Sequence, residues 1–105
     1  MTRDLTELDK LEKYLKEHGY KYERTDDDGK IMHSPFGLLP TFDHHQIIVY
    51  EKGERSWDVI LSYGSYGAEK GLLEAMGERV VQKGGDSVEG YLTADEIIER
   101  LEAGA

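Results

Sequence analysis

Four histidines are the side chains of this sequence best suited to bind a metal ion: His18, His33, His44 and His45. His44 and His45 are adjacent, so on a strand they point to opposite faces and cannot easily share one ion. If their strands pair, His33 and His44 could bind a metal together, with Asp43 supplying an oxygen ligand. No spaced ligand set such as HExxH is present. We therefore predict no metal site and no cofactor, and a small metal-dependent hydrolase using His33, His44 and Asp43 is the alternative.

A run of three aspartates followed by Gly29 resembles part of a calcium loop. With Gly29 at the sixth position of an EF-hand loop, Arg24 and Pro35 would occupy the first and twelfth positions, where that loop needs carboxylates. The calcium interpretation therefore fails and an acidic hairpin turn remains. We predict that the three carboxylates contribute to a partner-binding surface: Asp26, Asp27 and Asp28.

Aromatic residues are frequent in the middle of the chain. A ligand-stacking surface could include Tyr50, Trp57, Tyr63 and Tyr66, as in proteins that bind single-stranded nucleic acid. Such surfaces need flanking positive charge, which is scarce here. Core packing, with the hydroxyl groups reaching the surface, is therefore the favoured interpretation.

The composition bounds the class of protein. The 105 residues are enough for one domain, 1–105, with a single core. Without cysteine there is no disulfide framework and no thiol nucleophile. No apolar run approaches the roughly 18 residues that span a bilayer, and the charged N-terminus is not a secretory signal. We expect a cytoplasmic protein that does not enter membranes.

The charge balance points to a basic partner. Asp and Glu total 22 against 13 Lys and Arg, a net charge of −9. Direct nucleic-acid binding is not expected, because it needs Lys and Arg to displace counterions from phosphates. The last twenty residues hold six acids against Arg100 alone. A helix over 94–102 would place four carboxylates on its outer face, a second predicted partner-binding group: Asp95, Glu96, Glu99 and Glu102.

Apolar spacing predicts the elements that position these groups. Leucines recur every three to four residues near the N-terminus, which predicts a helix over about 5–18 with an Asp4–Glu7 capping box. Short strands are predicted at 20–24 and 31–33, followed by a hairpin of strands 46–50 and 56–63. In the second hairpin strand, four alternating residues would share one face: Trp57, Val59, Leu61 and Tyr63.

The C-terminal third predicts two further helices. One covers about 67–77 and turns Leu72, Leu73 and Met76 toward the core. A short hairpin from 80–81 to 87–92 follows, and Thr93 with Glu96 forms a capping box at the start of the last helix. The predicted order is α-β-β-β-β-α-(β)-α. The fold class is therefore α+β, with an antiparallel sheet of about four strands and helices mainly on one face.

The segment 34–43, SPFGLLPTFD, combines two prolines and a glycine with large apolar residues. The prolines predict irregular backbone. Two interpretations of the apolar side chains stay open, a cap on the core, which is favoured, and an exposed patch through which the chain could form oligomers. The residues concerned are Phe36, Leu38, Leu39 and Phe42.

The series HHQIIVY, SWDVI, YGSYG, GLLEAMG and GDSVEGYLTADEII resembles short, largely uncharacterised proteins of phages, prophages and mobile elements of gut-type bacteria. The resemblance implies an accessory role and assigns no catalytic residue. In size and acidity the chain also resembles anti-CRISPR proteins, several of which mimic phosphate charge. We therefore expect a non-enzymatic protein that binds a basic protein surface, with an anti-defence inhibitor as the sharpest form. An oligomeric assembly component is a further alternative.

Overall fold

A computed structural model describes residues 3–40, 42–82 and 87–104, with the backbone alone for 31–34, 39 and 40. In chain order the elements are α1 (Thr6–Glu17), β1 (Lys21–Asp27), β2 (Ile31–Ser34), β3 (Gly37–Pro40), β4 (His44–Glu51), β5 (Glu54–Ile60), a short 3-10 helix (Ala68–Lys70), β6 (Leu73–Met76), β7 (Val88–Leu92) and α2 (Ala94–Ala103). Neither helix of the described chain has the length and hydropathy needed to cross a bilayer.

The main sheet is antiparallel and has the strand order β1-β4-β5-β6-β7, while β2 and β3 form a separate two-stranded sheet. The predicted α+β class with an antiparallel sheet is confirmed, although the sheet has five strands and not four. Alternate residues of β4, such as Ile47 and Val49, are buried on the face that also carries Trp57 of β5. Both helices turn their leucine and isoleucine stripes into this single core.

The helix boundaries follow from local hydrogen bonds. The predicted capping box of α2 is present, because Thr93 accepts from the Glu96 N–H and Glu96 accepts from the Thr93 N–H. The predicted Asp4–Glu7 box is wrong. Asp4 accepts from the Thr6 N–H at 3.0 Å, but Glu7 instead accepts the Ala94 N–H of α2 at 2.7 Å.

The predicted hairpin at 46–50 and 56–63 exists as β4 and β5, joined by the two-residue turn Lys52–Gly53. Both turn residues have positive φ, as a type I′ turn requires. β5 ends at Ile60, and the predicted alternation of buried residues does not extend to its last residue, Tyr63. Trp57, Val59 and Leu61 are buried, whereas Tyr63 lies beyond the strand and is exposed.

The predicted helix over 67–77 is wrong. Gly67 and Gly71 both have positive φ and enclose a 3-10 helix of only three residues. Leu73–Met76 then forms β6, hydrogen-bonded between β5 and β7. Of the predicted hairpin from 80–81 to 87–92, β7 is present, but the N–H groups of Val80 and Val81 both donate to the Gly77 carbonyl in a turn. The predicted connection at 83–86 lies outside the described residues.

The prediction of irregular backbone in 34–43 is also wrong. β2 and β3 pair from Ile31–Pro40 to Ser34–Gly37, and Pro35 and Phe36 form the turn between them. Pro40 is at the end of β3, where a two-stranded sheet tolerates a residue without an N–H. In the chain the hairpin lies between Asp28 and Asp43, whose carboxylates are 3.7 and 3.6 Å from His45 Nε2 of β4.

Candidate functional site

His45 lies at the centre of a carboxylate cluster. This residue is the last histidine in the sequence, and its side chain is fully buried at the start of β4. Its Nδ1 lies 2.7 Å from Asp26 Oδ1. Its Nε2 lies 3.6 Å from Asp43 Oδ2 and 3.7 Å from Asp28 Oδ1, with no hydrogen-bond partner among the described residues. The cluster therefore joins β1, the turn after it and the segment before β4.

Two arginines neutralise most of this cluster. Arg3 donates to both oxygens of Asp43 at 2.8 Å, and Arg24 reaches Asp26 at 2.9 Å and Glu12 at 3.0 Å. The hydrogen bonds from Arg3 hold the pKa of Asp43 below its ordinary value. Burial would raise the pKa of Asp26, but hydrogen bonds from His45 and Arg24 outweigh it and lower that pKa. Asp26 is therefore ionised at neutral pH and can only accept hydrogen bonds. His45 donates its Nδ1–H group to this carboxylate.

The three aspartates predicted to bind a partner have different surroundings. β1 is longer than predicted, so Asp26 and Asp27 belong to a strand and not to a turn. Asp26 is engaged with His45, and Asp27 accepts the Gly29 N–H at 2.9 Å. Asp28 is 78% exposed. The carboxylate of Asp28 is therefore more available to a partner than that of Asp26, which is 43% exposed.

His44 and Asp43, the two described side chains of the alternative metal site, contact different partners. His44 Nδ1 lies 2.9 Å from Ser62 Oγ, and its Nε2 lies 3.1 Å from Gln46 Oε1. Asp43 faces Arg3 and His45 instead. The side chain of His33, in β2, is outside the described residues. In the part of the chain that is described, no three His, Asp or Glu side chains form a metal-binding group.

The four predicted carboxylates of α2 divide into two pairs. Asp95 forms an ion pair with Lys10 of α1 at 2.9 Å, and Glu96 closes the capping box. Glu99 and Glu102 are exposed on the last turns of α2. Burial raises the pKa of Tyr14, and the nearby charge of Glu102 adds to this. We call Glu99 and Glu102 the acidic pair of α2.

Every arginine of the chain is within 4.0 Å of a carboxylate of the same chain. The five pairs are Arg3 with Asp43, Arg24 with Asp9, Arg55 with Asp58, Arg79 with Glu51 and Arg100 with Glu89. Three of these arginines, Arg3, Arg24 and Arg100, are less than 20% exposed, so their charges lie largely within the fold. Acids outnumber bases by nine, and exposed carboxylates include those of Asp28, Glu99 and Glu102.

The apolar segment does not cap the core. Phe36 is 94% exposed, and Leu38 and Phe42 are about 60% exposed. The favoured interpretation is therefore wrong for these three residues, and the alternative of an exposed patch describes them. The side chain of Leu39 is outside the described residues.

A second exposed apolar surface was missed by the sequence interpretation. Tyr63 and Tyr66 are exposed, while Ser62 and Ser65 of the same loop are buried. Core packing is therefore the wrong interpretation for these two tyrosines, although it is right for Trp57. The signal that could have identified the loop is the double glycine in YGSYG, since Gly64 and Gly67 both adopt positive φ.

Comparison of the chain with protein-family models, with curated proteins and with solved structures gave no match.

Proposed function

We propose that this protein is a small, acidic, non-enzymatic binding protein that acts on a basic protein surface. The observation that carries the proposal is the internal use of all five arginines. This pairing engages the side chains that best recognise phosphates, and only Arg55 among them is more than half exposed. It leaves exposed carboxylates to attract a cationic partner.

The acidic pair of α2 is the first contact group of the proposal. Glu99 and Glu102 are one turn apart on one helix face, and Glu102 is in the last turn of the helix, where negative charge is unfavourable. Like charges at this spacing destabilise a helix by about 0.2–0.5 kcal/mol. A basic partner would turn that repulsion into attraction. The exposed carboxylate of Asp28 would add a further attractive charge for the same partner.

An inhibitor of a host-defence protein is the sharpest form of the proposal. It derives from the sequence resemblance to phage and mobile-element proteins, and from the way exposed carboxylates can imitate phosphate groups. The inhibitor would then occupy a nucleic-acid channel of its target and compete with the nucleic acid.

Affinity capture from a bacterial lysate tests the function. The baits are the wild-type chain, E99Q/E102Q and the control E54Q/E78Q, which removes the same charge at two other exposed glutamates. We expect the wild type and the control to retain the same basic protein at low salt and E99Q/E102Q to retain less of it. Equal retention by all three baits at every salt concentration would contradict the proposal.

A role in assembly is a second candidate, favoured by the exposure of the β2–β3 hairpin. Phe36 is 94% and Leu38 60% exposed on this hairpin, whose two strands pair with each other and with no other strand of the described chain. If this hairpin joins copies of the chain, F36S/L38S will reduce a dimeric or larger mass in solution to that of the monomer. A monomeric wild type at high concentration removes this candidate.

A further inference from the structure

The loop after β5 places its polar residues inside and its aromatic residues outside. Ser65 Oγ accepts the Ser62 N–H at 3.0 Å and donates to the Ser62 carbonyl at 2.8 Å. Ser62 Oγ accepts the His45 N–H at 3.1 Å. These bonds fix the loop against β4, and both serines are buried, whereas Tyr63 and Tyr66 are 63% exposed.

Each tyrosine of the loop contacts a second exposed aromatic residue, in one case through the rings and in the other through the backbone. The rings of Phe42 and Tyr63 are stacked, with centroids 4.0 Å apart and an interplanar angle of 9°. The Tyr66 carbonyl accepts the Tyr91 N–H at 3.2 Å. The loop over residues 62–67 thus connects two pairs of exposed aromatic residues, and we call these four residues the aromatic platform: Phe42, Tyr63, Tyr66 and Tyr91.

The backbone crossing that holds Tyr66 and Tyr91 depends on the absence of side chains. A Cβ at Gly90 would clash with Tyr66 Cβ and lie 2.9 Å from the Tyr66 carbonyl oxygen. A Cβ at Gly67 would lie 3.0 Å from Tyr91 Cα. Tyr91 itself has φ of 60°, which is unfavourable for a bulky residue, and its side chain is 52% exposed. The strained backbone is thus not compensated by burial of the ring.

We propose that the aromatic platform binds arginine side chains presented by an extended segment of the basic partner. This inference rests on the proposed function and identifies a second contact region for the same partner. Guanidinium groups stack on aromatic faces, and nearby negative charge strengthens the contact. Glu74 provides such a charge, because its Oε1 accepts the Tyr66 N–H at 3.0 Å.

Single-stranded nucleic acid fits the platform less well. Stacked bases need adjacent cations for their phosphates. The nearby cation is Arg3, whose guanidinium donates to both carboxylate oxygens of Asp43. Asp43 follows Phe42 in the chain, and its carbonyl accepts the Tyr63 N–H. The net charge of −9 adds a long-range repulsion of phosphates.

The test is an NMR titration of the ¹⁵N-labelled chain with a capped peptide of alternating arginine and glycine. The same peptide with citrulline in place of arginine is the neutral comparison, and oligo-thymidylate represents single-stranded DNA. We expect the arginine peptide alone to shift the amides of Tyr63, Tyr66 and Tyr91. Equal binding of the citrulline peptide, binding of the oligonucleotide at these amides, or no shift there would overturn the proposal.

Variants separate the platform from the acidic pair of α2. Tyr91→Gly removes the ring and suits the positive φ, so its melting temperature should not fall, while its affinity for the arginine peptide should drop by about 2- to 30-fold. Tyr66→Leu should weaken binding in the same direction. Lys52→Gly is the matched control, since Lys52 also has positive φ but lies in the turn at the far end of β4. It should leave the shifts at the platform unchanged.

The same titration with E99Q/E102Q distinguishes failure of the platform proposal from failure of the proposed function. Shifts confined to α2, lost in E99Q/E102Q and unaffected by Tyr91→Gly, would overturn the platform and leave the proposed function standing. Shifts at the platform that persist in E99Q/E102Q and disappear in Tyr91→Gly would support the platform independently of the acidic pair.

Discussion

Individual carboxylates in this protein are either structural or available to a partner, and their neighbours decide which. Asp26 and Asp43 hold His45 and two arginines, and their lowered pKa values reflect those contacts. Glu99 and Asp28 are exposed on the surface. Substitution of the first kind should therefore change stability, and substitution of the second should change binding.

Asp43→Asn tests the structural kind. The pair of Arg3 and Asp43 is 19% and 14% exposed, so we expect a loss of about 1.5–3 kcal/mol of unfolding free energy at neutral pH. Because the folded-state pKa of Asp43 is lowered, this stabilisation is present above the ordinary aspartate pKa of about 4. It is lost as the pH falls through the folded-state value.

Urea unfolding of the wild type and of D43N across acidic pH measures this difference. The two stabilities should converge in acid. Arg3→Gln should cost a similar amount, and the double variant little more than either single one, because both changes break the same pair. A gap between wild type and D43N that persists at the lowest pH would show that the ion pair is not its cause.

Trp57→Ala should be among the most damaging substitutions in the core. Trp57 is 1% exposed and its Nε1 donates to Glu51 Oε1 at 3.2 Å. Removal of so large a buried side chain costs about 3–5 kcal/mol. Trp57→Phe keeps most of the ring volume and should cost less. An unchanged melting temperature for W57A would mean that the buried face of the sheet has been misassigned.

Elements with strong local signals could be predicted from the sequence. The leucine repeat of α1, the Thr93–Glu96 box of α2 and the alternation in β4 and β5 each follow from a pattern within a dozen residues. β6 could not be predicted this way, because GLLEAM has helical spacing and becomes a strand through pairing with β5 and β7. Tertiary hydrogen bonding overrides a weak helix that contains Gly71.

The candidate sites were predictable to different degrees. The acids of α2 follow from composition and helical spacing. The cluster around His45 does not, since it depends on the register that pairs Asp26 with His45 across β1 and β4. The exposure of Tyr63 and Tyr66 is also set by tertiary structure, because two buried serines occupy the inner side of their loop.

Gly90→Ala tests the crossing between β7 and the loop after β5. The new Cβ would clash with Tyr66, so β7 or the loop must move, and overpacking of this kind costs about 1–3 kcal/mol. Gly104→Ala is the control, because its Cβ would meet the end of the flexible Arg79 side chain at 2.6 Å. Thermal unfolding should separate the two variants. Equal melting temperatures would show that the crossing is not tight.

The whole molecule carries an excess of nine negative charges, and its arginines are all engaged within the fold. A field of this kind accelerates association with a basic partner and makes it sensitive to ionic strength. Surface carboxylates that contribute to binding should therefore be identifiable by charge reversal, provided that the fold is intact.

The most direct measurement is the affinity of the captured partner as a function of salt concentration, for the wild type, E99K/E102K and the control E54K/E78K. All three chains are first checked for the same melting behaviour. We expect E99K/E102K to bind more weakly and with a flatter salt dependence than the control, whose total charge is the same. An affinity and a salt dependence for E99K/E102K equal to those of the wild type would contradict the acidic binding surface.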